Sequence, residues 1–158
     1  MAATRAEALC ARQGVPVRVR SYEHDEAATN FGAEAVAKTG LGADRVFKTL
    51  VVDSGGALAF ALVPVAARLD LRAVARELGA KKARLADRTV AERATGYVMG
   101  GITALASRSA LACLVDSSAA AEPSFVVSAG ARGRNLELAY ADFARLTGAR
   151  LAAIATAR

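Results

Sequence analysis

Hydrophobic positions along the chain alternate in some short runs and recur every three or four residues in others, which predicts short strands mixed with short helices. Residues 4–13 carry helical spacing and stop at Gly14, with Pro16 soon after. "VPVRVRSY" alternates through Tyr22 and predicts a strand. "TNFGAEAVAKTG" predicts a helix capped by Thr29 or Asn30 and ended by Gly40. "VFKTLVVD" and "ALAFALVPV" read as two strands joined in a hairpin at Ser54, Gly55 and Gly56. Asp70 caps a short helix whose Leu71, Val74, Ala75 and Leu78 share one face, and Gly79 closes it. "KKARLAD" predicts a short strand and "RTVAERAT" a helix, in which Thr89 and Glu92 have the spacing of a capping box. "ALACLVD", "SFVVSAG", "LELAY" and "ARLAAIA" predict further strands, with a helix at "ADFARLTG". Irregularly interspersed helices and hairpin-like turns predict an α+β fold around a mixed, mostly antiparallel, barrel-like sheet rather than a regular doubly wound one.

One strand breaks its own pattern. In "RVFKTLVV", Phe47, Thr49 and Val51 share one face, and Val46, Lys48, Leu50 and Val52 the other. Lys48 is thus a charge on an aliphatic face. Alternation leaves two readings open, an edge lysine that blocks unwanted pairing and a cation pointed into a pocket.

Length and composition narrow the picture. The 158 residues predict one domain spanning 1–158. Hydrophobic residues make up 54% of the chain but aromatics only 5%, so Leu, Val and Ala fill the predicted core. The first residues carry Arg5, Glu7 and Arg12 and do not read as a signal peptide. No apolar run approaches the ~20 residues of a membrane span. Cys10 and Cys113 lie far apart in sequence, which favours reduced thiols and a cytoplasmic protein. A net charge of +6 favours polyanionic partners such as RNA.

Conventional catalytic sets are sparse. A lone histidine, His24, rules out a poly-histidine metal site, and neither cysteine has metal-ligand spacing. Both cysteines fall in segments that read as packed core. His24 and Asp25 follow a predicted strand end and form a site edge or a solvated turn. Tyr22 offers a ring to stack on a base and a hydroxyl for phosphate or sugar. "TGYVMGGI" and "SAGARGRN" are glycine-rich, yet neither is a phosphate-binding P-loop or a dinucleotide fingerprint. Their glycines either expose backbone N–H groups to an oxyanion or simply make tight turns.

Taken in order, "YEHD", "FGAEA", "RVFKTLVV", "GAKKARLAD", "TGYVMGGI" and "VSAGARGRNLEL" resemble the YbaK family of aminoacyl-tRNA deacylases, in its Cys-tRNA(Pro)/Cys-tRNA(Cys) branch. The resemblance covers almost the whole chain. It implies a pocket that receives the aminoacylated 3′ end of tRNA, with no cofactor and no metal. It assigns the hallmark lysine to Lys48 and places Gly100 and Gly101 with it as catalytic. Tyr22, Phe31, Thr49, Ser128 and Gly130 are implied to bind substrate. The implied mechanism is assisted by the substrate, whose cysteinyl thiol attacks its own ester carbonyl. Some family members work with prolyl-tRNA synthetase, which makes that enzyme an implied partner. One departure is visible, because the family's G-G-I-S-P reads Gly100-Gly101-Ile102-Thr103-Ala104 here, which implies a looser loop and bears on substrate preference. Two alternatives stand beside this reading. One is a deacylase for Ala-tRNA(Pro) or another small-residue mischarge. The other is a non-enzymatic RNA-binding module using Lys81, Lys82 and Arg84.

Overall fold

The computed structural model describes residues 2–157; Met1 and Arg158, the ends of the predicted domain, lie outside them. The order of elements is α1 (Arg5–Arg12), β1 (Arg18–Ser21), α2 (Phe31–Thr39), β2 (Phe47–Ser54), β3 (Ala57–Pro64), β4 (Ala67–Leu69), α3 (Leu71–Glu77) and β5 (Arg84–Leu85). Then follow α4 (Arg88–Thr95), β6 (Ala112–Asp116), β7 (Phe125–Ala131), β8 (Arg134–Leu138), α5 (Tyr140–Thr147), β9 (Arg150–Ala152) and β10 (Ala155–Ala157).

The local signals explain most of these boundaries. Thr4 accepts from Glu7 N–H at the start of α1, Asn30 from Ala33 N–H at the start of α2, and Asp70 from Arg72 and Ala73 N–H at the start of α3. Gly55 and Gly56, with φ of +64° and +91°, form the two-residue turn between β2 and β3.

The central sheet has the order β5-β2-β3-β6-β9, with β3–β6 and β6–β9 parallel and the other ladders antiparallel. Its two faces are sorted by strand alternation. Phe47, Val51, Phe60, Leu62, Cys113 and Val115 face a core shared with β7, β8 and α5, where Phe125 meets Phe47 and Phe143 edge-on. Val52, Ala59, Ala61, Val63 and Leu114 face the opposite core, covered by Val74 of α3 and Ile154. A second sheet, β1-β8-β7, touches the first through one parallel bridge between Val46 and Val126, and β4 pairs with β10.

The α+β class and the mixed, mostly antiparallel strands are as the sequence predicts. The barrel does not close, because the described strands divide into three sheets whose order ends at β5 and β9, at β1 and β7, and at β4 and β10. Two local expectations are also corrected. The last predicted strand is two three-residue strands in different sheets, split at buried Ile154. The helix α4 is capped at Asp87 rather than Thr89, and Glu92 does not close a capping box. No helix among the described residues is long and apolar enough to cross a membrane.

Candidate active site

The pairing of β2 leaves a gap. On its outer side β5 reaches only Val52 and Asp53, and the bridge to β7 holds only Val46. Between them the strand edge is open, and a cavity of about 380 Å3 sits against it. Five consecutive residues, Val46, Phe47, Lys48, Thr49 and Leu50, line that cavity, so it meets the strand at its edge rather than on one face. Lys48 thus sits where the outer side of β2 is unpaired, although β2 is not an edge strand of the sheet, and it lines the cavity. Lys48 is half-buried and is the one charged side chain of the lining among the described residues. The Thr49 hydroxyl oxygen is buried without a hydrogen-bond partner among the described residues.

The opposite walls come from distant segments. The start of α2 brings Asn30, Phe31 and Gly32; the loop after α4 brings Met99, Gly100 and Ile102; β7 brings Ser128 and β8 brings Asn135. The register of β1 against β8 sets Arg20 opposite Asn135, whose amide donates to Arg20 O at 3.3 Å beside Tyr22. Burial, followed by the charge of Glu34, raises the Tyr22 phenol above its usual value and keeps it protonated at neutral pH.

Of the residues singled out from the sequence, Tyr22, Phe31, Lys48, Thr49, Gly100 and Ser128 meet at this cavity. Gly101 and Gly130 lie outside its lining. Gly101 packs its Cα against the Ala131 backbone, and its N–H donates to Val98 O at 2.9 Å. Gly130 packs against the Tyr97 ring. The sequence reads Asn30 only as a helix cap, and Met99, Ile102 and Asn135 only as members of the quoted motifs, since nothing in their spacing distinguishes them from turn and core residues. Thr103, at the departure from the family loop, is fully buried, and its hydroxyl accepts Leu105 N–H at 3.2 Å. The looser loop expected there is thus held by a side-chain bond.

A polar cluster backs the Tyr22 wall. Glu34, buried on α2, accepts from His24 Nδ1 at 2.6 Å, Asp25 N–H at 2.8 Å and Lys38 Nζ at 2.9 Å. Burial alone would raise this carboxyl, but the Asp25 N–H, Lys38 and His24 outweigh it and hold it at about 2. His24 and Asp25 are therefore neither free nor in the cavity. The cysteines are remote as well: both are buried, Cys10 on α1 and Cys113 on β6, and burial pushes the Cys113 thiol up to about 12. No Cys, His, Asp or Glu lines the cavity among the described residues.

The geometry is that of a mostly apolar pocket whose described lining adds one ammonium, the hydroxyls of Tyr22, Thr29, Thr49 and Ser128, the amides of Asn30 and Asn135, and a glycine backbone. It can orient a small polar molecule, but its lining holds no activated nucleophile of the usual kind.

The sequence profile of the aminoacyl-tRNA editing domain matches residues 24–146. A protein of Enterococcus faecalis, named "Putative Cys-tRNA(Pro)/Cys-tRNA(Cys) deacylase EbsC", is 32% identical over 142 residues, covering 89% of this chain and 87% of that one. The hypothetical protein APE2540 superposes with a TM-score of 0.85 at 23% identity, over 97% of this chain and 100% of that one. A structure described as a "putative trans-editing enzyme for prolyl tRNA synthetase" does so with 0.83 at 22%, over 96% and 95%. At those identities the two structures speak for the fold. With the profile match over most of the chain and the 32% relative, the chain belongs to the YbaK-type family of aminoacyl-tRNA editing domains and is an aminoacyl-tRNA deacylase.

Proposed function

We propose that the enzyme removes cysteine from Cys-tRNA(Pro), and from Cys-tRNA(Cys), with the substrate's own thiol as nucleophile. The observation that carries this reading is the pocket's composition: a cavity sized for a small aminoacyl group whose lining offers orientation without a Cys, His or carboxylate. The aminoacyl ester is already activated, so orientation and oxyanion stabilisation suffice for much of the acceleration.

In the reaction the cysteinyl sulfur attacks the ester carbonyl and forms a C–S bond. The carbonyl carbon then releases the ribose oxygen, which takes the thiol proton and leaves as the tRNA hydroxyl. The product is a cyclic thiolactone that water opens to cysteine. Lys48 holds the terminal adenosine or its phosphate as a point charge, and Thr49 and Ser128 supply hydroxyls to the bound aminoacyl end. Tyr22 and Phe31 shape the wall on which the terminal base stacks. Gly100 N–H faces the developing oxyanion. Gly101 supports that loop through its turn bond, and Gly130 supports Tyr97 behind it. Prolyl-tRNA synthetase is the partner that fits this role, because a proline pocket excludes cysteine weakly by shape alone. A cytoplasmic location, where charged tRNA is used, fits as well.

The test is the purified protein with Cys-tRNA(Pro), Ala-tRNA(Pro) and Pro-tRNA(Pro), wild type beside Lys48→Ala. Loss of the cysteinyl ester alone, abolished by the substitution, is the expected result. Preferential loss of the alanyl ester would reassign the substrate.

A further inference from the structure

The loop carrying Gly100 is gripped at one residue from two sides. Residues 98–101 form a turn closed by Gly101 N–H donating to Val98 O at 2.9 Å. Gly100, third in the turn, has φ +92°, and Met99 before it is not among the residues of positive φ. That combination defines a type II turn, which differs from type I by a flip of the peptide group between the two central residues. Both polar groups of Met99 are bonded outside the turn. Its N–H donates to Glu92 Oε2 at 2.7 Å, and its carbonyl accepts from Arg132 Nε at 2.8 Å.

These bonds decide where Gly100 points its N–H. In a trans peptide the carbonyl and the following N–H are directed oppositely. With the Met99 carbonyl directed at Arg132, the Gly100 N–H is turned away from it, and it meets no acceptor among the described residues. The Arg132 guanidinium also lies 5.0 Å from the centre of the Phe31 ring, and that ring occupies the space a Cβ on Gly100 would need. Glu92 is in turn bonded by Arg88 Nε at 3.3 Å. The grip thus runs from α4, through the turn, to the connection between β7 and β8.

We propose that Glu92 and Arg132 are positioning residues that latch the peptide between Met99 and Gly100 in its type II orientation and so keep Gly100 N–H presented to the cavity. Released, the peptide can rotate, because glycine accepts either sign of φ. Rotation would turn a carbonyl oxygen, rather than an N–H, toward the site of developing negative charge. The use made of the N–H rests on the deacylase mechanism proposed above; the latch is a property of the free protein.

The experiment compares wild type with Glu92→Ala, Glu92→Gln and Arg132→Leu in two readouts. The first is the 15N–1H cross-peak of Gly100 in the free protein. The second is kcat and KM for loss of the ester from Cys-tRNA(Pro). Glu92→Ala and Arg132→Leu should shift or broaden the Gly100 peak and lower kcat about tenfold or more, with KM within about twofold, since oxyanion donors act on the chemical step. Glu92→Gln, which keeps an oxygen acceptor for Met99 N–H, should restore the peak and most of kcat. A Gly100 peak unmoved in both Glu92→Ala and Arg132→Leu overturns the latch. So does a loss in Arg132→Leu that appears only in KM, which would make Arg132 a contact for RNA. If wild type cleaves no cysteinyl ester, the functional reading fails by itself and the cross-peak alone decides the latch.

Discussion

At the scale of single residues, Thr49 and Lys48 separate stability from function. The Thr49 hydroxyl is buried with no partner among the described residues, and an unsatisfied buried polar group costs roughly 1–3 kcal/mol. Thr49→Val should therefore raise the melting temperature slightly while lowering kcat/KM on the aminoacyl ester; thermal melts and single-turnover rates check the two halves. Lys48→Ala and Lys48→Arg should both lower the rate by about 10²-fold or more, the order of removing one preorganised charge contact, with melting nearly unchanged. The arginine variant tests whether the pocket fits only a compact ammonium. The sequence made Lys48 visible as a charge on an aliphatic face, but alternation could not say that the strand edge beside it is open. That depends on where β5 stops pairing with β2 and on Val126 bridging only Val46, the residue before the strand. Asn135 was illegible for a related reason: it reaches Tyr22 only through the register of β1 on β8.

At the scale of elements, short-range signals were read well and long-range ones poorly. The Gly55 and Gly56 turn and the Asp70 cap are local chemistry, and they form where the pattern puts them. The Thr89 and Glu92 spacing misled, because a carboxylate one turn into a helix serves a capping box or a distant N–H equally well. Here Met99 N–H takes it. The three-residue strand β4 gave no usable signal, and β10 was merged with β9 into one predicted strand, since the β4–β10 pairing joins segments far apart in sequence. Two carboxylates tie elements together and predict an acid response. Glu34 is held at about 2 against burial by Asp25 N–H, Lys38 and His24, and Glu137 at about 2 by Ser124, Arg20 and Arg45. Both values lie below the ordinary 4.5, so both groups stabilise the fold above that pH, and the contribution is lost as pH falls from about 4.5 toward 2. Urea midpoints measured across that window should drop in wild type and drop less in Glu137→Gln. Gly101→Ala should destabilise in its own way, because a Cβ there would meet the Ala131 backbone at 2.8 Å. A loss of about 1–3 kcal/mol in denaturant titration is expected from that clash.

At the scale of the whole molecule, two hydrophobic cores on either side of the central sheet, and a third cluster of Ala35, Val46, Val65 and Val126, hold α2, β2, the loop after α4 and the β7–β8 pair around one cavity. Charged RNA approaches a chain of net charge +6, but the discrimination proposed here lies in the aminoacyl end and its sulfur. The non-enzymatic alternative built on Lys81, Lys82 and Arg84 gives way to the deacylase family assignment, and Arg84 is already paired with Asp53 at 3.2 Å. The most direct test replaces that sulfur by oxygen: rates of ester loss from Cys-tRNA(Pro) and Ser-tRNA(Pro) under identical single-turnover conditions. Rapid loss of the cysteinyl ester with a seryl ester that persists at the uncatalysed rate is the predicted result. Equal rates for the two would contradict a mechanism in which the substrate supplies the nucleophile.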